Sequence, residues 1–432
     1  MKMKKFFMLI TFLIVSVNAG YSPPARYDLR EHGRITSVKN QGIPGPCWAF
    51  AAMGAMESNY LTKYPGKNPD LSDMHTAFYC YRDPVKSRNF SSRKSSGTLS
   101  LEGNAFMPVA LMSRLSGPTD EKNLPYSTTL TASQKNALSK KSPETYKRSM
   151  RLREAYFLSG NNVLDKANRK KLIMTNGAIV VSMYSDLSSY HTKGKYYTYY
   201  NNSHGKAINH LVLIAGWDDN FSRDNFNPKP EHNGAWLVKN SWGTLRGTNG
   251  GYFWIPYDQY TTGGTAFIVE RNNNRLKHYG YDDLGFCSSA KYSWGANTFK
   301  ISGKRENLKE AAFYTVSNNS AYEVYVYSHG TKTPSSPVKG KLIASVKGKQ
   351  EYAGYHTVNL PEQVAMNEGE YFSVVLKLSG GNMPSEKKHK NYSENAVVHK
   401  GESYFSQDGK SWTDGVKIGS NACIKAFTIS RI

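Results

Sequence analysis

The chain has 432 residues, 39% of them hydrophobic, with 30 tyrosines, four cysteines and a formal charge of +23. That length holds two or three domains with real cores, and the apolar and aromatic content excludes a disordered polymer in favour of folded, β-containing structure. So few cysteines exclude a disulfide-dense scaffold, and the scatter of the basic residues excludes a nucleic-acid binder, leaving attraction to an acidic cell envelope or acidic substrates as the reading of the charge.

The chain opens on MKMKKFFMLITFLIVSVNAG, a Lys-rich start, an apolar run from Phe6 to Val17 and small residues ending at Ala19. This is the pattern of a signal peptide over residues 1–19. The run is short for a bilayer, and no later segment is apolar enough to cross one. A secreted chain is expected, extracellular, cell-surface or periplasmic, without a transmembrane segment once processed. Loss of Lys2, Lys4 and Lys5 takes the formal charge from +23 to +20.

After a short YSPPARYDLREHGRIT comes VKNQGIPGPCWAFAAMGAMESNYL, from Val38 to Leu61. A Gly/Pro-rich turn leads into an amphipathic segment, with Trp48, Ala51, Ala52, Ala55 and Met56 at helical spacing. Cys47 stands at the start of that helix, where unpaired N–H groups and the helix dipole favour a thiolate. Gln41, six positions upstream, can be folded back beside the sulfur by the turn. The segment therefore offers a nucleophile and an oxyanion donor together.

A second short helix is expected from Leu71 to Cys80, then an exposed mobile loop over 84–100, rich in Ser, Lys and Arg. A helix from Ala105 to Leu115 follows, stopped by Gly117-Pro118. The local basic run Lys140, Lys141, Lys147, Arg148, Arg151, Arg153 reads as a solvated helix face or loop. A helix near Val163 to Thr175 precedes strands at Gly177–Tyr184, Ala207–Asp219, Gly234–Gly243 and Gly250–Asp258, the last strand expected of this unit. KYYTYYNNSHGK reads as a hairpin at a cleft edge. His210 opens an apolar strand, where an arbitrary imidazole would be costly, and Asn240 in VKNSWG needs a partner if buried.

From about Asn272 short alternating strands succeed one another, and Asp408-Gly409 is a strong hairpin turn. This predicts a β-sandwich. Trp294 and Trp412 could stack on sugars, but core packing is the expected role.

Four of these segments resemble, in family order, the papain-like cysteine peptidases. Gln41, Cys47 and the Trp-Ala-Phe after it fit the nucleophile region; Asn209-His210-Leu-Val-Leu-Ile fits the histidine strand, and Val-Lys-Asn240-Ser-Trp242-Gly the asparagine segment. Pro44 and Pro46 depart from the family, which usually has cysteine and Ser or Ala there. The resemblance implies an α+β, two-lobed papain-like fold over 20–268, with a helical lobe and a sheet lobe. The region 275–432, opening with Tyr281-Asp-Asp-Leu-Gly285, resembles the lectin-like domain that follows the peptidase in some bacterial members.

By resemblance, Cys47, His210, Asn240 and Gln41 are the catalytic set, and Cys47, paired with an imidazolium, has a pKa well below neutral. Glu102, Gly103, Asn209 and Trp242 are the expected substrate-binding residues; Trp242 covers the His210–Asn240 hydrogen bond. Cys80 is expected free and buried, because its family partner position is Pro44; Cys287 and Cys423 could bridge the last third. The long inhibitory propeptide usual in the family is not expected before Val38. The implied function is an exported cysteine endopeptidase acting on proteins or peptides through a thioester, with a cell-envelope protein or glycan as candidate ligand of the sandwich. No metal, cofactor or nucleic acid is expected: there is no C-x-x-C, no H-E-x-x-H and no phosphate-binding loop. The rival readings are an idle surface-binding protein and an amidase or transferase using the same thioester on a non-protein substrate.

Overall fold

The computed structural model describes residues 22–42, 45–81, 102–158, 162–201, 205–247, 249–390 and 392–431, without the side chains of 162–164. The expected signal peptide and the 84–100 loop lie outside these residues.

The helix Cys47–Lys63 is the axis of the first lobe. It is buried from Trp48 to Asn59 without a break, more completely than its pattern implied. Its small residues let the helix Asp73–Tyr79 and the strands His210–Asp218 and Thr261–Arg271 pack around it, and a helix apolar on all sides is a buried one. The one acidic residue in its buried stretch, Glu57, accepts from the Leu71 N–H at 2.7 Å and faces Lys39 at 3.3 Å. The helices Asp73–Tyr79, Phe106–Ser113 and Asn162–Asn176 lie where the sequence puts them.

The second lobe is a sheet in which Thr261–Arg271, Ile179–Met183, His210–Asp218, Ala235–Lys239 and Tyr252–Pro256 are neighbours in that order. The hairpin Tyr190–Lys193 with Tyr196–Tyr199 adds to its edge. Two expectations are corrected. Tyr252–Pro256 is not the last strand of the unit, since Thr261–Arg271 returns into the sheet between Met150–Phe157 and Ile179–Met183. The basic run also ends in a strand: Arg151 and Arg153 lie on Met150–Phe157, with Arg151 wholly buried. Its guanidinium meets Glu310 at 2.5 Å and Glu270 at 3.0 Å. Those carboxylates are more than a hundred residues away in sequence, which is why a window of basic residues looked solvated.

The last third is the expected sandwich. One sheet holds Leu276–Gly280, Ile424–Ser430, Arg305–Thr315 and Ala353–Asn367; six strands from Lys341–Gln350 through Trp294–Lys300 to Thr413–Asp414 form the other. Phe299, Phe313, Val324, Phe372 and Phe405 fill the core. The first sheet is continuous with the sheet of the second lobe, because Ala353–Asn367 pairs with Met150–Phe157. Gly354 makes that junction feasible: φ is +145°, and a Cβ there would stand 1.9 Å from the Ala155 carbonyl oxygen. Trp294 and Trp412 are half-buried rather than in the core. Trp294 stacks on Tyr325 at 6.1 Å with the Lys377 ammonium over its ring.

His75 on Asp73–Tyr79 is fully buried, and burial pushes its pKa down to about 4 from the ordinary 6.5. The folded chain keeps this imidazole neutral, whereas the unfolded chain protonates it below about pH 6.5. Stability from this group is therefore complete above pH 6.5 and is lost as pH falls towards 4, by at most about 3 kcal/mol. Urea midpoints at pH 7 and pH 4 should fall further in the wild type than in His75→Phe; equal falls would assign the proton uptake elsewhere.

Candidate active site

Cys47 is the first residue of its helix. Pro46 before it sits at φ −80°, ψ 69°, an inverse γ-turn, and the Cys47 N–H donates back to the Gly45 carbonyl at 3.0 Å. The sulfur accepts from the Leu211 N–H at 3.5 Å, which sets it against the residue next to His210. His210 opens the central strand and is buried; its Nε2 meets Asn240 Oδ1 at 2.9 Å. The Ser241 N–H donates to the same oxygen at 2.9 Å, so Oδ1 is the acceptor, Nε2 carries hydrogen and Nδ1 is left as the ring's base. Trp242 stacks on the imidazole, centroids 4.9 Å apart and planes 22° from parallel.

Gln41 reaches this group because residues 39–41 run antiparallel beside 241–243. The Gln41 N–H donates to Ser241 O at 2.8 Å, Gly243 N–H to Lys39 O at 3.1 Å, and Asn40 bridges Trp242. The Ser241 hydroxyl donates to Gln41 Oε1 at 2.5 Å, and the Tyr126 hydroxyl to the Gln41 carbonyl at 2.6 Å. Both residues escaped the sequence reading. Ser241 lies within VKNSWG and adjacency could have suggested it; nothing near Tyr126 in the chain signals its role.

The donors expected for an oxyanion are engaged elsewhere. Gln41 Nε2 donates to the Gly45 carbonyl at 3.2 Å, and the Cys47 N–H donates to the same oxygen. The two donors thus converge on one oxygen, as an oxyanion requires, but in the resting chain that oxygen belongs to Gly45.

The expected low Cys47 pKa is also corrected. Burial pushes the thiol up, against hydrogen bonds from Leu211 and Trp48, and pushes His210 down to about 4 against the pull of Asn240. Each shift favours the neutral form, because a dry site penalises an isolated charge. Desolvation therefore opposes the ion pair that forms when the thiol proton passes to the ring.

A cavity of about 610 Å³ opens over Cys47 and His210, walled by Gln41, Trp242, Arg246 and the 185–187 turn. Asn209 lines it too, but its side chain is spent bracing that turn, accepting from Ser185 N–H at 2.7 Å and donating to Ser185 O at 2.9 Å. Glu102 is exposed, and neither it nor Gly103 lines this cavity. Gly103 lies on the Trp48 indole, where a Cβ would come within 2.5 Å of the ring. Cys80 is a free buried thiol. Cys287 and Cys423 are also free: Cys287 accepts from Lys387 N–H and the Ser393 hydroxyl, both at 3.3 Å, while Cys423 is buried between the strands Ser420–Ala422 and Ile424–Ser430. Among the described residues no cluster of three or more His, Cys, Asp or Glu side chains could hold a metal.

Residues 23–269 match the papain family of cysteine proteases, and residues 278–428 the lectin-like domain. Two solved structures of the clostridial cysteine protease Cwp84 are similar over nearly the whole chain, each with a TM-score of 0.79. One, after propeptide cleavage, is 25% identical and covers 94% of this chain and 99% of that one. The other, of the protease and lectin-like domains of this surface-layer-associated protein of Clostridium difficile, is 24% identical and covers 95% and 90%. A viral cathepsin of Heliothis zea nuclear polyhedrosis virus is 27% identical over 52% of this chain and 51% of its own length. The chain spans about half the length of the first curated relatives it matches. With its helical lobe, sheet lobe and following sandwich, the chain belongs to the papain family of cysteine proteases and carries a lectin-like domain behind the peptidase.

Proposed function

We propose that the chain is an exported cysteine endopeptidase that cleaves protein or peptide substrates through a Cys47–His210–Asn240 thioester mechanism. The observation that carries this reading is convergence: the Gln41–Cys47 segment and the remote His210, hydrogen-bonded behind to Asn240, meet at one cavity. The thiol proton passes to His210 Nδ1, and the sulfur attacks the scissile carbonyl. Asn240 and the stacked Trp242 hold the imidazolium in plane and away from water. The carbonyl oxygen becomes an oxyanion at the position of the Gly45 carbonyl, which turns away as substrate arrives, and takes up the Gln41 Nε2–H and Cys47 N–H donors. His210 then protonates the leaving amine, and water hydrolyses the thioester.

Export is supported by the first nineteen residues and by the likeness to a surface-layer-associated protease. We assign the peptidase unit to 20–268 and the sandwich to 275–432, the latter binding a protein or glycan of the envelope. The rival, an idle binding protein, is tested by a thiol-directed peptidyl epoxide: irreversible labelling of Cys47 supports the peptidase, and none defeats it. A peptide-library digest separates the peptidase from an amidase on non-protein substrates.

Gln41→Ala should lower kcat by about 10²–10³ with little change in KM, the usual cost of one oxyanion donor. Single-turnover acylation measures it, and an effect confined to KM would remove Gln41 from the oxyanion hole.

A further inference from the structure

The wall of the cavity beyond Trp242 carries a guanidinium that the mechanism does not use. Arg246 lines the cavity shared with Cys47 and His210, and its guanidinium carbon lies 5.2 Å from the centre of the Trp242 ring. Trp242 is itself 4.9 Å from the His210 ring, so the guanidinium stands no more than about 10 Å from the imidazole. Arg246 is exposed and makes no ion pair among the described residues. Its loop is pinned in place: Gly247, at φ +74°, lies so close on the Tyr197 ring that a Cβ would come within 2.2 Å of it.

The acid across the cavity is not its partner. Asp186 receives hydrogen bonds from Ser188 at 2.5 Å, Asn201 at 2.6 Å and Ser189 at 2.9–3.0 Å. These bonds, from Ser188 and Ser189 on its own turn and from Asn201 beyond the hairpin, hold its carboxylate in place. Arg246 is thus an open cation, placed over an aromatic face, whose planar guanidinium suits a bidentate contact with a carboxylate.

The side of the cleft follows from the chemistry. His210 gives its proton to the departing amine, so the half of the substrate that leaves first lies over the imidazole and Trp242. An extended chain advances about 3.3–3.6 Å per residue. A guanidinium within about 10 Å of the imidazole is therefore in reach of the second residue beyond the scissile bond. We propose that Arg246 makes this part of the cleft a carboxylate subsite, which selects substrates with an acidic second residue after the cleaved bond or with their C-terminal carboxylate at that point. The proposal rests on the peptidase reading for its orientation.

Binding and turnover test it separately. Internally quenched peptides that differ only in Glu, Gln or Lys at the first and second positions after the cleaved bond are followed on the active chain. Their fluorescent analogues are titrated against the Cys47→Ser chain by anisotropy. A matched pair ending two residues after the bond, as free acid or as amide, is included in both. The expected result is about tenfold tighter binding and about tenfold higher kcat/KM for Glu over Gln at the second position, shrinking with added salt. That ratio should fall to about one in Arg246→Gln and turn towards Lys in Arg246→Glu. Free acid favoured over amide assigns the selection to a chain terminus; Glu favoured over Gln inside longer peptides assigns it to a side chain. Equal binding of acidic and neutral peptides, or a preference that survives Arg246→Gln, overturns the subsite. Failure of all peptides to be cleaved, together with no epoxide labelling of Cys47, sinks the peptidase reading instead, and the anisotropy arm still decides on Arg246.

Discussion

Cys47→Ala is expected to abolish peptide hydrolysis, lowering kcat by about 10⁵–10⁶ while leaving the fold intact. Loss of a nucleophile that acts with its base as a unit has costs on that scale elsewhere. The fold should survive because the sulfur is held only by backbone N–H groups, that of Leu211 at a long 3.5 Å, and is only partly buried. Nucleophile and stability are thus separable at this position. Quenched-peptide turnover and the thermal midpoint should be read together: activity gone with the midpoint moved by less than a few degrees. Residual activity within a hundredfold of wild type would mean that another group attacks. His210→Ala should fall nearly as far, and the double variant little further, since neither group works without the other. Cys47→Ser is the informative intermediate, because an alcohol is a far weaker acid than a thiol and an imidazole pushed down to about 4 is a weak base for it.

The second large effect is on stability. Glu310→Ala should cost about 3–5 kcal/mol, the usual price of stranding a buried cation. Glu310 is wholly buried on the sandwich strand Arg305–Thr315, facing Arg151 at 2.5 Å and Arg153 at 2.9 Å on the peptidase strand Met150–Phe157. Although burial opposes it, Arg151 and Arg153 hold its pKa down to about 2. The stabilisation is present above about pH 4.5, where the unfolded carboxylate is ionised, and is lost as pH falls towards 2. Because the pair spans the two parts of the continuous sheet, its removal should also loosen their joint. Urea unfolding should shift to lower midpoint, and limited proteolysis should cut earlier between the parts. The double variant Arg151→Met with Glu310→Leu should recover most of the loss, since an apolar pair of similar volume carries no desolvation cost. No recovery would mean that the charges themselves hold the joint.

How far the chain could be read ahead varies by element. The helix at Cys47, the short helix at Asp73 and the strands at Ile179, His210, Ala235 and Tyr252 are written locally, in a helical period or an apolar run. The strand Thr261–Arg271 was missed because it begins with two threonines and two glycines, a turn-like composition that only its neighbours Met150–Phe157 and Ile179–Met183 override. The strand holding Arg151 was missed for the matching reason. Whether an arginine is solvated or buried depends on a carboxylate supplied from another part of the chain.

The sequence by itself determined which side chains are available to react and roughly where each sits on its element. Cys47 heads a helix, His210 a strand, and Asn240 follows one, because local periodicity and turn chemistry are encoded within a dozen residues. Only the tertiary structure decided their state: donors turned onto the Gly45 carbonyl, a thiol pushed up and an imidazole pushed down by burial, cysteines unpaired and two sheets fused into one. These depend on desolvation and on partners from remote segments, and such terms have no value until the chain has closed around them.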